Sequence, residues 1–135
     1  MKKSFITPIF DEKDKIYFVE GKLRGKVPFS NALIVNDHLF DTGVSRKRLK
    51  YIKKNYNISH IIFSHYHEDH TRNNRIFSNV NLNCPNKEKD IIEDYKNFYS
   101  LYGLNKYIKV WWFEIYLKYY VQVNKIEINN TFLIY

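Results

Sequence analysis

The run Ile61-Ile62-Phe63-Ser64-His65-Tyr66-His67-Glu68-Asp69-His70 constrains this chain more than any other stretch. Residues 58–63 are mostly β-branched or aromatic and contain no Gly or Pro, so they read as a buried strand. That strand runs directly into three histidines and an aspartate. If extended geometry persists, His65 and His67 are two apart and point to the same side. Asp69 and His70 follow where the chain turns into a helix. Burying the strand therefore gathers imidazoles and a carboxylate around one small volume. Such donors ligate zinc, iron or manganese. Three of the chain's five histidines fall within this run, which favours one shared task over separate surface roles.

A second mark lies upstream. Residues 31–35 and 38–40 read as two strands around the turn Asn36-Asp37, and the hairpin closes on Asp41-Thr42-Gly43. By itself Asp-x-Gly is an ordinary turn former. Twenty-odd residues before the histidines it gains meaning, because the pair of motifs resembles the metallo-β-lactamase superfamily. The resemblance rests on His65-x-His67-x-Asp69-His70 after an apolar strand and on the hairpin ending in Asp-x-Gly, and it covers about residues 15 to 100. It implies an α/β (α+β) fold, the αββα sandwich of two sheets between helices. It implies His65 and His67 as ligands of a first metal, Asp69 and His70 as ligands of a second, and Asp41 as the support of the site. Asp69 would also orient the attacking hydroxide or carry its proton. The cofactor implied is zinc, as one or two ions, with iron or manganese as the other candidates. The activity implied is hydrolysis of an ester, lactone, thioester, amide or phosphodiester.

The family brings further histidines and a bridging aspartate from later loops. No histidine follows His70 in this chain, and Asp90 and Asp94 fall too early, on an expected helix. The expectation is therefore a single partial domain over residues 1–135, the truncated N-terminal half of the sandwich. Two functional readings follow: a metal-dependent hydrolase impaired by truncation, or an inactive remnant acting as a weak metal-binding or interaction module. In the first, a complementing chain or self-association supplies the missing ligands. His38 and His60 are the only other histidines a second copy could offer.

Composition bounds the rest. With 135 residues, 44% hydrophobic and 18% aromatic, the chain can bury one real core. The single cysteine, Cys84, allows no internal disulfide and reads as a small buried residue. There is no convincing signal peptide and no apolar run of about 18 residues, so a cytoplasmic protein without a membrane span is expected. The net charge of +8 invites nucleic acid. The lysines are dispersed, however, and the chain is rich in Asn, Ile and Tyr, so nucleic acid is not the partner this reading selects.

The remaining elements follow from periodicity. Residues 4–10, 15–20 and 80–84 read as strands. Ser45 caps a helix over residues 46–55 with Leu49, Ile52 and Tyr56 inward and Arg46, Lys47, Lys50, Lys53 and Lys54 on a solvated face. Residues 71–77 read as a short helix. Residues 87–101 read as one helix with Ile91, Ile92, Tyr95, Phe98 and Tyr99 inward and Glu88, Asp90, Glu93 and Asp94 wet. Residues 106–120 read as an aromatic helix packing on the core, and residues 121–128 and 131–135 as strands of a hairpin turning at Asn129-Asn130. Both main helices are expected to cover one face of the sheet, each having a single apolar stripe.

Overall fold

A computed structural model of the chain describes residues 4–77, 79–121 and 126–133. Seven strands form one mixed sheet whose spatial order is their sequence order. They are β1 (Ile6–Pro8), β2 (Ile16–Val19), β3 (Ala32–Val35), β4 (His38–Phe40), β5 (His60–Ile62), β6 (Asn81–Pro85) and β7 (Asn130–Phe132). β1 to β4 form an antiparallel meander, whereas β4, β5, β6 and β7 run parallel. Parallel neighbours need a crossover. The α1 helix (Arg46–Asn55) makes the first, and α2 (Glu68–Thr71) lies on the second, with a 3₁₀ turn at Asn74–Phe77. The third carries α3 (Lys89–Glu93), α4 (Tyr95–Leu101) and α5 (Val110–Ile115), the last running into a π-helical turn at Tyr116–Val121. The fold is thus mixed α/β. Among the described residues no helix is long and apolar enough to cross a membrane.

Register explains the core. Ile34, Leu39 and Ile61 are cross-strand partners, share one face, and are fully buried. Val19, Ala32, Phe63 and Cys84 extend that face, and Leu49 and Ile52 of α1 and Ile92 of α3 pack into the same cluster. α1 and α3 therefore share this cluster, whereas Tyr99 of α4 packs into a second one with Phe113 and Leu117. Burial pushes the Cys84 thiol up to about 11, which keeps it unreactive. The opposite row, Phe18–Leu33–Phe40–Ile62, is in register but only partly covered.

Several expectations are corrected. The helix over residues 87–101 breaks at Asp94, which is extended (φ −132°, ψ 106°). Its Oδ1 accepts a hydrogen bond from the Lys96 amide at 2.9 Å, so the acid starts a new helix instead of continuing the old one. Glu88 and Glu93 are not simply wet: Glu88 Oε2 accepts from the Tyr66 amide at 2.9 Å and Glu93 Oε1 from the Ile128 amide at 2.7 Å. In residues 106–120 only Phe113 and Leu117 are buried, with Tyr99 and against Tyr66 and Ile91, while Trp111, Trp112, Tyr116, Tyr119 and Tyr120 stay exposed. No hairpin turns at Asn129-Asn130 among the described residues. Asn129 instead bonds Leu82 through both its amide and its side chain, and β7 joins β6 in parallel. The rest of that expectation, at residues 122–125 and 134–135, and the inward side chains of Tyr95 and Phe98, lie outside the described residues.

The two faces of β5 give a direct test. Ile61→Ala should cost about 2–5 kcal/mol, because it opens a cavity among fully buried neighbours. Ile62→Ala, on the partly covered face, should cost less than half as much. Urea unfolding of both variants measures the difference.

Candidate functional site

The histidines lie at the carboxyl ends of the parallel strands β4 and β5, where open α/β sheets place their ligands. β5 stops at Ile62, so the expected strand geometry does not carry through His65 and His67. A bend does the same work. The His65 and His67 rings lie 4.5 Å apart, and the His65 and His70 rings 4.2 Å apart, centroid to centroid. Asp69 Oδ2 is 3.7 Å from His70 Nε2. Asp69 and His70 sit on α2, as the sequence led one to expect.

Asp41 joins this group from the end of β4. It adopts φ +63°, a left-handed conformation that Asp tolerates better than most residues. Its Oδ1 accepts from the Ser64 amide at 2.8 Å, and its Oδ2 accepts from Ser64 Oγ at 2.8 Å and from His70 Nδ1 at 2.7 Å. Gly43 explains the last letter of Asp-x-Gly. A Cβ there would lie 1.7 Å from the Asp69 carbonyl oxygen. Only a glycine lets the hairpin end meet α2 this closely, and the Thr42 amide then donates to the His70 carbonyl at 2.8 Å.

The hydrogen-bond chain also assigns tautomers. Ser64 Oγ has one proton and gives it to Asp41, so at its 2.8 Å contact with His65 Nδ1 it must accept. His65 therefore carries its proton on Nδ1, and so does His70, which donates to Asp41. In their neutral forms both rings carry no proton on Nε2, although that of His70 already faces Asp69 Oδ2 at 3.7 Å, and a carboxylate placed as Asp41 is behind His70 is the usual outer support of a ligand imidazole. Burial and the neighbouring His70 and His67 lower the His65 pKa, which favours the neutral, ligating form. Burial alone would lower that of His70, but the hydrogen bond and charge of Asp41, with Asp69, outweigh it and hold the value raised. Ser64 is the residue that sequence reading missed. A lone serine between a strand and a histidine carries no signal of its own.

The chemistry of this donor set fits a zinc-like ion, and the orientation of His65 and His70 suits one. Convergence is a separate matter. Among the described residues no three His, Cys, Asp or Glu side chains surround a common point. Side chains must therefore rotate to hold an ion. His38 and His60 do not join the site. They face each other at the starts of β4 and β5, stacked at 4.6 Å, at the opposite end of those strands.

Beside the histidines opens an apolar cleft of about 440 Å³, lined by Tyr102, Leu104, Ile108, Trp112, Phe113 and Tyr116, with Glu68 at its rim. The Tyr102 ring is 6.4 Å from that of His67. Burial and the carboxylate of Glu68 push the Tyr102 hydroxyl up to about 12, so it stays protonated. No family model matches the chain, and no curated protein matches its sequence.

Asp41→Asn tests the bracing. The stability that His70 gains by protonation is fully present below the ordinary value of 6.5 and is lost as pH rises through its raised folded-state value. Removing the Asp41 charge should lower the His70 titration midpoint, seen by NMR, and flatten that part of the stability–pH curve. The lost charged hydrogen bonds should cost on the order of 2 kcal/mol.

Proposed function

We propose that this chain is a metal-dependent hydrolase of the metallo-β-lactamase type, organised as the histidine-bearing half of an αββα sandwich. The observation that carries the reading is the packing of the His67 and His70 rings at 4.5 and 4.2 Å from the His65 ring, with Asp69 beside His70 and Asp41 behind it. His65, His67, Asp69 and His70 would hold the ion, zinc before iron or manganese. A bound zinc supplies Lewis-acid polarisation and lowers the pKa of its water to roughly 7.

The protein's own residues do the rest. Asp41 and Ser64 fix which imidazole nitrogens face the site. Asp69, beside His70, is the carboxylate that would take a proton from the attacking water and pass it to a leaving group. The cleft of Tyr102, Leu104, Ile108, Trp112 and Tyr116 takes the apolar part of an ester, lactone, thioester, amide or phosphodiester. Catalytic zinc uses about three protein donors plus water. Four donors divided between two ions fall short, and His38 and His60 sit at the wrong end of the strands. Full activity therefore draws further ligands from a complementing chain or a second copy.

A second reading has one observation in its favour. The donors do not converge as they stand, which suits an inactive chain that holds metal weakly or serves as an interaction module.

Zinc titration followed by calorimetry separates the two. The chain should bind zinc with modest affinity, and both His67→Ala and Asp69→Ala should weaken it at least tenfold. Turnover of generic substrates by the chain alone should stay well below the ordinary enzyme range of about 1 per second and above. No bound zinc, and no difference between the chain and His67→Ala, would leave only the interaction module.

A further inference from the structure

The basic side chains that look dispersed in the sequence are gathered in space. A cleft of about 510 Å³ lies between α1, the turn after α2 and the C-terminal helical turn. Arg46, Lys50 and Lys53 line it from α1, Arg75 from the 3₁₀ turn, and Lys118 from Tyr116–Val121. No carboxylate lines it among the described residues. The three α1 cations stand at spacings of four and three, on one helix face, where like charges repel. They form a row about 10 Å long at 1.5 Å per residue, enough to face more than one anionic group.

Two further features mark the cleft as a site and not merely a solvated face. Asn73 lines it and is only 5% exposed, yet its Nδ2 makes no hydrogen bond among the described residues. A buried amide donor without an acceptor is costly and calls for a ligand or water. Tyr119 stands at the same cleft with 66% of its surface open and Lys118 Nζ 5.4 Å from its ring centroid, which sets a flat stacking surface for a base beside a cation for its phosphate.

We infer that this cleft binds consecutive phosphates carrying a base, as in a single-stranded nucleic acid or a nucleoside polyphosphate. The cations neutralise the phosphates, the Asn73 amide supplies an uncharged donor, and Tyr119 stacks on the base. The site is separate from the histidines and does not depend on a metal being bound there.

Fluorescence anisotropy with a labelled single-stranded oligothymidine of about ten nucleotides, in the presence of a chelator, provides the test. Lys50→Glu and Lys118→Glu should each weaken binding at least tenfold. The control is Lys47→Glu, which changes net charge identically on the exposed face of α1 but outside the cleft, and should weaken it less than threefold. Each cation removed from the cleft should also reduce the slope of log affinity against log salt by about 0.7. Tyr119→Ala should weaken binding without changing that slope. Unlabelled thymidine triphosphate arbitrates between sources. Displacement at a concentration matching the oligonucleotide's own affinity identifies a nucleoside polyphosphate as the ligand, and displacement only at far higher concentration identifies a strand. No binding by either probe, or equal losses for Lys47→Glu and Lys50→Glu, overturns the inference.

Discussion

The Asp41 carboxylate is the tie on which the site depends. It is 7% exposed and takes three hydrogen bonds, two from Ser64 and one from His70. A buried carboxylate is costly unless its lone pairs are met, and here the donors that meet them come from the end of β5 and from α2. One charge therefore holds three segments in register: the end of the hairpin, the bend carrying His65, and the helix carrying Asp69 and His70. The backbone repeats the tie, since the Asp41 amide donates to the Ile62 carbonyl at 3.0 Å and the Phe63 amide to Asn83 at 2.8 Å. The placement of the histidine cluster and the continuity of the parallel sheet rest on the same few bonds.

The sequence announces elements whose signal is local and repeated. The α1 helix has its cap, its apolar stripe and its charged face all within ten residues, and it stands at Arg46–Asn55 as read. The central strands carry enough β-branched residues to be placed within a residue or two. The misread regions are those where one side chain overrides a pattern. Asp94 breaks an otherwise regular helix because its own carboxylate can satisfy the next turn. Asn129 replaces a hairpin by bonding a neighbouring strand. Between residues 106 and 120 the apolar pattern is too rich to show which ring turns inward, and only Phe113 and Leu117 do so. Asp41 and the histidines were legible because residue types of that chemistry cluster rarely. Ser64 and the cleft of cations were not, since the first is a common residue and the second assembles only when three distant segments meet.

The two clefts differ in character. One is aromatic and nearly uncharged beside the histidines, while the other is strongly cationic beyond the far end of α2. α2 and the turn after it reach both, since Glu68 stands at the rim of the first and Asn73 lines the second. The buried Arg72 between them bonds the Pro28 carbonyl and stacks on Phe29 at 4.4 Å, which anchors this short segment to the loop before β3.

The close approach at Gly43 has a consequence for motion. With no room for even one methyl group between Gly43 and the Asp69 carbonyl, α2 has no slack in the direction of the hairpin. Fraying α2 exposes the Thr42 amide, whose partner is the His70 carbonyl, and must also cut the Asp41 ties. The histidine segment thus has no cheap local opening of the kind that lets most surface loops breathe. Its hydrogen exchange should follow that of the strands rather than that of the loops, so side chains there turn over a backbone that stays where it is.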